Sequence, residues 1–432
     1  MISTIIISLL VLILLITSIV FFPTIRIGRI KFATYWPLAL VGAILLIVFR
    51  CVPVSYIFDN LTADTAINPI KILILFLSMT FISIVLDELG LFKWAAIKTV
   101  KLAKNHQLSI FLSIYFLTAI FTIFTSNDIV VLTLTPFICF FCKNTKVNPI
   151  PYLIGEFVAS NTYSMMLLIG NPTNIYLASA QNISFIDYIK VMFLPTIAAG
   201  LVEVLILLLI FHKSLKKEIE KVYEDVRIDS KVEVIVAALH LLVCLIFLII
   251  SSYINVEMYL VSLFTALSLI ICLIIFKIIK KKDHTLLRSV RRVPYELVPF
   301  VLSMFVMMIA LDYQNVSIEL AKLLSKGNSI FTYGISSFLS ANVINNIPMS
   351  MLFSHLITLG SESEMIRATY ASIIGSNIGA FLTPIGALAG IMFTSLTEIY
   401  DAKINFKSFI KYGFIISIPV IIISLLILEI VI

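Results

Sequence analysis

The chain has 432 residues, 60% hydrophobic and 13% charged, with a mean hydropathy of +1.10 and a formal net charge of +7. Soluble domains run at about 45–50% apolar and about 25% charged, so a water-soluble fold of this length is excluded. The apolar runs are continuous rather than alternating, which excludes a β-barrel and leaves helices as the way to satisfy the backbone in lipid.

Windows of about 20 apolar residues give plain spans at 3–22, 35–53, 69–91, 190–211, 233–253, 257–279, 294–313 and 406–431. The first has no basic n-region and no small-residue cleavage site, so it reads as a span rather than a cleaved signal peptide. The longest polar connections, 212–232 and 280–293, read as linkers. Stretches 24–34, 92–107, 143–149, 212–232, 277–293 and 399–411 hold 25 of the 31 Lys and Arg residues, including Lys280-Lys281-Lys282. The positive-inside rule puts that side in the cytoplasm, which accounts for the net charge without a nucleic-acid partner.

Segments 108–124 and 129–142 are flanked by Lys101, Lys104, Lys143 and Lys146, yet their junction, Thr125-Ser126-Asn127-Asp128, has no basic residue. This fits a re-entrant hairpin at about 108–142, entering from the cytoplasm with its polar tip buried in protein. A long helix follows, 150–180, interrupted at Gly170-Asn171-Pro172-Thr173-Asn174. Proline removes an amide donor and glycine tolerates a strained backbone. Unwound chain at membrane depth persists where it lines a cavity or is buried in protein. The second half offers the same pair: a hairpin at about 329–359, with Asn345, Asn346 and Pro348 at its tip, and a helix 365–398 broken between Gly379 and Gly386 through Thr383-Pro384.

Pro69, Leu77, Ser78, Met79, Leu86 and Asp87 recur as Pro294, Leu302, Ser303, Met304, Leu311 and Asp312, 225 positions on. The expectation is an all-α polytopic membrane protein made of two inverted repeats, 1–211 and 233–432, around a cytoplasmic linker 212–232. Each repeat has five spans, one of them broken, and one re-entrant hairpin; both termini lie outside or in the periplasm. Membrane proteins built this way are very often transporters with a site between the repeats.

The tips and breaks supply the candidate binding residues: Ser126, Asn127 and Asp128; Asn171, Thr173 and Asn174; Asn345 and Asn346; Ser376, Asn377 and Thr383. Gly170, Pro172, Pro348, Gly379, Pro384 and Gly386 shape the breaks. Helix amino-termini favour anions, and carbonyls at opposing helix ends favour cations. A carboxylate near the bilayer centre costs at least about 2.5–3.5 kcal/mol. Asp128 therefore binds a cation, carries a proton, or caps the helix starting at Ile129. Glu156 and Glu203, inside spans, belong to a proton path or to structural pairs, and the sequence favours neither. Asp87, Glu88 and Asp312 fall near span ends and read as mainly structural, as does the lone His355. The five cysteines read as free thiols beside apolar segments, and Cys139-x2-Cys142 lacks the further ligands a metal site needs. No His-Glu-x-x-His, Gly-x-Ser-x-Gly or phosphate-loop pattern occurs, so an enzyme or an ATP-driven pump has no support.

Leu86-Asp87-Glu88-Leu89-Gly90-Leu91-Phe92-Lys93-Trp94-Ala95-Ala96 resembles a permease signature following the third span. Asn127-Asp128 with Leu132-Thr133-Leu134-Thr135-Pro136, Asn345-Asn346-Ile347-Pro348, and Leu382-Thr383-Pro384-Ile385-Gly386 complete an ordered set. Over nearly its full length the chain resembles the ion-transporter superfamily in its arsenite-permease and NhaD-type antiporter branch, related to the divalent-anion:sodium symporters. The resemblance implies a rocking or elevator-like secondary transporter with a scaffold part and a substrate-carrying part. It also implies a homodimer and, as in some arsenite permeases, room for an ATPase subunit. Carried over by position, Asn127, Asp128, Asn171, Thr173, Asn174, Asn346, Thr383 and Pro384 line or shape the site. Arsenite permeases tend to carry an acid and a Pro-Lys pair where this chain has Asn377, Ala380 and Phe381, which weakens arsenite as the substrate.

The combined reading is a secondary active transporter of a small anion or metalloid (arsenite, antimonite or another inorganic or organic anion). It is coupled to protons or sodium, with no cofactor beyond that ion. A sodium/proton antiporter is the alternative, and a channel ranks below both.

Overall fold

The computed structural model describes residues 2–22, 24–27, 30–64, 68–103, 106–216, 218–219, 228, 230–251, 254, 256–280, 284–402 and 404–432. Most of the 220–229 stretch of the expected linker, and residues 281–282 of the basic run, lie outside the described residues. The first part of the chain runs α1 Ile2–Phe21, an antiparallel hairpin of β1 Thr24–Ile27 and β2 Ile30–Ala33, α2 Tyr35–Val48, α3 Val54–Thr62, α4 Pro69–Glu88 and α5 Leu91–Leu102. It continues with α6 Gln107–Phe124, α7 Asn127–Thr145, α8 Ile150–Tyr163, α9 Pro172–Ala180 and α10 Phe185–Leu215. The second part gives α11 Lys231–Ile250, α12 Met258–Lys280, α13 Thr285–Arg292, α14 Leu297–Tyr313 and α15 Val316–Leu324. It ends with α16 Ser329–Ile344, α17 Asn346–Thr358, α18 Glu362–Gly379, α19 Leu388–Ile399 and α20 Phe406–Val431.

This is an all-α polytopic membrane protein in its helical body, with 8 helices long and apolar enough to cross a bilayer among the described residues. Several details depart from the sequence reading. The small β1–β2 hairpin interrupts the expected all-α pattern, and the span drawn at 35–53 ends at Val48. Three short helices, α3, α5 and α15, were not foreseen. The 280–293 linker contains α13, whose Arg288 and Arg292 pair with Glu88 at 3.3 Å and 2.7 Å. Arg292 also reaches Asp87 at 2.7 Å. Ion pairs to the end of α4 hold a helix that apolar counting alone assigns to a loop.

Helix starts follow side-chain chemistry. Asn68 accepts from the amides of Ile70 and Lys71 with Pro69 next to it, and Asn328 accepts from Ile330 and Phe331. Ser184 and Asn405 cap α10 and α20 in the same way. Each cap satisfies orphan amides and is worth about 1 kcal/mol.

The helices sort into two groups. In one, α2 packs on α14 and α4 on α12, with α1 and α11 beside them. In the other, α6 packs on α8, α16 on α18, and α10 on α20. The groups meet where α4 and α14 face α7, α9 and α17. Residues 151–163 of α8 and 368–379 of α18 are buried on every side, so the two interrupted helices are the centre of the second group rather than its surface.

Candidate functional site

Each hairpin is two helices around a tip held inside protein. Between α6 and α7 lie Thr125 and Ser126, both buried, and between α16 and α17 lies Asn345, also buried. Asn345 sits at φ +68°, ψ +153°, a positive-φ extended geometry that non-glycine residues rarely adopt. Pro348, assigned to the break from sequence, instead falls in the first turn of α17, where a missing amide costs nothing. The chain leaves α8 at Tyr163, forms a short 3-10 turn at Leu168–Gly170, and restarts at Pro172. A Cβ at Gly170 would lie 2.2 Å from the Ser164 carbonyl oxygen, so only glycine fits that fold-back. The other break runs from the end of α18 at Gly379 to Leu388, through Thr383, Pro384 and Gly386.

The four helices that restart after a tip or a break are α7, α9, α17 and α19. They pair crosswise, α7 against α19 and α17 against α9. Their amino-termini, with free amides and the positive ends of the peptide dipoles, are brought to the middle of the molecule.

Much of the predicted polar set is used internally. Asn377 makes four hydrogen bonds. Its carbonyl accepts from Ser164 at 2.7 Å and Asn171 at 3.0 Å, and its amide donates to Asn174 at 2.7 Å and the Ile373 carbonyl at 2.8 Å. That residue ties the two broken helices together and has no capacity left for a ligand. Asn171 also caps α9 through the Thr173 amide, and Asn174 donates to the carbonyls of Ser164 and Leu167. Asn342 is saturated too, accepting from the Thr383 amide and hydroxyl and donating to the Phe338 and Gly379 carbonyls. The second tip is pinned to its break: Asn345 donates to the Ile385 carbonyl, and the Asn346 amide donates to Gly386.

The remainder is free to act. Ser126 Oγ, Thr173 Oγ1, Asn346 Oδ1 and Ser376 Oγ are buried without a partner among the described residues. Buried polar groups are rarely left so, and these four belong to the two tips and the two broken helices. Asn127 accepts from the Asp128 amide and donates to Asn161 of α8 at 3.2 Å. Asp128 turns away from the packed core into a cavity of about 590 Å³. Ile129 and Leu132 of α7 and Leu388, Met392 and Ser395 of α19 line one wall. Tyr35, Phe76, Thr80 and residues 291–297 line the other. Tyr35 and Glu296 line the wall opposite Asp128. The crosswise equivalent, where α9 and α17 meet α4 and α14, leaves only about 20 Å³ among Ile72, Phe76, Pro172, Tyr176, Val301 and Ile347.

Asn161, Tyr35 and Glu296 escaped the sequence reading. A signal for Asn161 existed: Ser160-Asn161-x7-Ile169-Gly170 recurs as Ser376-Asn377-x7-Ile385-Gly386. Nothing in the local sequence marks Tyr35 or Glu296. The acids called structural do have partners: Asp87 and Glu88 form ion pairs with Arg292, and Asp312 lies 2.6 Å from His355 Nε2.

Comparison with known proteins agrees with this architecture. The chain is 26% identical over 369 residues to an arsenical pump membrane protein of Escherichia coli, covering 81% of this chain and 84% of that one. It is 25% identical over 398 residues to an uncharacterised transporter of Mycobacterium tuberculosis, covering 88% and 89%. The crystal structure of the YdaH transporter of Alcanivorax borkumensis superposes with a TM-score of 0.56 at 12% identity, over 99% of this chain and 97% of that one. The family model described as citrate transporter matches residues 2–368. A transporter, not an enzyme, is what these matches share with the buried tips and broken helices, and the chain belongs to the citrate transporter family.

Proposed function

We propose that the protein is a secondary active transporter of a small anion or metalloid, with arsenite, antimonite and small carboxylates as the compounds to test first, coupled to protons or sodium. The observation that carries this reading is the pair of crosswise helix junctions. One opens through a 590 Å³ cavity to Asp128, and the other encloses about 20 Å³. A fixed pore would be continuous, whereas a carrier has one side closed at a time. Four half-helix amino-termini near the tips suit an anion or a neutral oxygen-rich metalloid. The match to the citrate transporter family and the likeness to arsenical pump membrane proteins favour those two substrate classes.

In this reading the two halves are inverted repeats, and both termini are outside. The cavity, with Arg291 and Arg292 at its wall, then opens to the cytoplasm by the positive-inside rule. The Asp128 carboxylate has no hydrogen-bonded side-chain partner recorded among the described residues, which favours a bound cation or proton there and keeps the sodium/proton antiporter as the second reading.

The test is thermal stabilisation of the purified protein by arsenite, antimonite, citrate, sulfate, sodium and lithium. A ligand at 100 times its dissociation constant adds about 2.7 kcal/mol to native stability. Stabilisation by an anion or metalloid, lost in Asp128→Asn, supports the transporter reading. A response to sodium or lithium alone supports the antiporter.

A further inference from the structure

Three carboxyl groups lie in the first half among buried helices, and their counterparts in the second half are neutral. Asn127 and Asn346 are the first residues of α7 and α17, which matches Asp128 to Ile347. The Ser-Asn-x7-Ile-Gly repeat matches Glu156 to Ser372. Phe185-x2-Tyr188-Ile189-Lys190-x2-Phe193 recurs as Phe406-x2-Phe409-Ile410-Lys411-x2-Phe414, which matches Glu203 to Ser424. The duplicated frame therefore does not need these acids for packing. Asp128 faces the cavity, while Glu156 and Glu203 are fully buried.

Glu203 has the more built surroundings. Thr162 of α8 donates its hydroxyl to Oε2, and Oε1 is buried with no hydrogen-bond partner among the described residues. The Tyr115 ring of α6 and the Tyr163 ring of α8 meet edge to face at 6.0 Å, and both hydroxyls stand at Gly200, about one turn before Glu203 on α10. Tyr115 donates its one proton to the Gly200 carbonyl at 3.0 Å, so toward Glu203 its oxygen acts as an acceptor. A Cβ at Gly200 would lie 2.2 Å from the Tyr163 hydroxyl; the missing side chain is what admits that group. One donor to Oε2, an unpartnered Oε1 and a tyrosine oxygen about one turn away suit a neutral carboxyl group. Burying it ionised and unpaired would cost several kcal/mol. Among the described residues no ion pair reaches it: α6 and α8 contribute tyrosine and threonine, α20, packed along α10, has no charged residue between Lys411 and Glu429, and His240 of α11, a helix that also touches α10, bonds Ser268 of α12.

We propose that Glu203, held by Thr162 and flanked by Tyr115 and Tyr163, is a proton-binding site of the transport cycle, a role that rests on the secondary-transporter reading above. The proton sits on Oε1 and points at Tyr115. Its release leaves a carboxylate that draws the Tyr115 hydroxyl off the Gly200 carbonyl. Thr162 follows Asn161, and Asn161 holds Asn127 at the first tip. The charge state of Glu203 is thus two residues and two hydrogen bonds away from Asn127, the residue beside Asp128.

Infrared spectra of the purified full chain in light and heavy water, from about pH 5 to about pH 9, read the protonated carboxyl directly. The expected result is a deuterium-sensitive carboxyl band that Glu203→Gln removes, Tyr115→Phe shifts, Glu156→Gln leaves in place, and rising pH diminishes. A Glu203 band that stays constant across the range overturns the proposal, as does a spectrum that Glu203→Gln leaves unchanged. If Glu203→Gln fails to fold, Tyr115→Phe decides: an unshifted band overturns it. In proteoliposomes, Glu203→Gln should lower pH-gradient-driven antimonite or citrate accumulation at least about tenfold while keeping counterflow exchange. Wild-type protein that moves neither compound sinks the transporter reading for those substrates, and leaves the infrared result to judge Glu203.

Discussion

The two crosswise junctions are built from corresponding parts and differ in what they enclose. Where α7 and α19 face α2, α4 and the start of α14, the wall stands off by a 590 Å³ cavity; where α9 and α17 face α4 and α14, about 20 Å³ remains. The open side carries a carboxylate at the tip, Asp128, and the closed side an isoleucine, Ile347. One side open, with the charge on that side, agrees with the proposed carrier caught at one end of its cycle. The difference teaches that the framework asparagines and the working groups are separate populations. Asn377 and Asn342 hold the frame, whereas Ser126, Thr173, Asn346 and Ser376 keep buried oxygens without a partner among the described residues and Asp128 faces the cavity, which suits them to the proposed ligand.

The largest effect should come from the frame. Asn377→Leu strands the polar groups of Ser164, Asn171 and Asn174, and should cost at least about 3 kcal/mol in reversible unfolding. Its counterpart Asn161, with two hydrogen bonds, should cost about half as much when changed to Leu. Equal losses would break the distinction between the two halves. Next comes the packing contrast itself. Ser350→Trp, at a residue buried in the lining of the closed side, should destabilise by about 1–3 kcal/mol through overpacking, while Ser395→Trp in the open cavity should leave the melting temperature nearly unchanged.

Asp128→Asn should cut gradient-driven transport at least about tenfold, or about 1.4 kcal/mol, with stability altered by less than about 1 kcal/mol. A transport rate that survives this change would move the coupling group elsewhere. The smallest effect belongs to Arg292→Gln. It unties Asp87 from α13 but leaves Glu88 its pair with Arg288, so about 1 kcal/mol is expected in a thermal melt.

The sequence made the large features legible because each has a one-dimensional signature. Span length, the absence of lysine at the 125–128 junction, and the Gly-Asn-Pro-Thr-Asn and Thr-Pro-Ile-Gly interruptions located the hairpins and broken helices within a few residues. The division of labour among the polar residues was hidden. Asn171, Asn174, Asn377 and Thr383 looked equivalent to Ser126 and Asn346 in composition. Only three-dimensional pairing separates a saturated amide from a free one. The helix α13 was missed because its stability comes from ion pairs to residues 200 positions away rather than from apolar periodicity. Tyr35 and Glu296 reach the cavity through tertiary packing that no local pattern records.

The most direct test of the carrier account is thiol accessibility on the two sides. Single cysteines at Ser395 and at Ser350, in a background lacking Cys51, Cys139, Cys142, Cys244 and Cys272, would be labelled with a water-soluble maleimide from each face of the membrane. The account predicts that Ser395→Cys reacts from the cytoplasmic face and Ser350→Cys is protected. Saturating antimonite or citrate together with an imposed ion gradient should exchange the two patterns. Fixed reactivity at both positions under every condition, or simultaneous reactivity of both, would contradict a carrier and point to a pore.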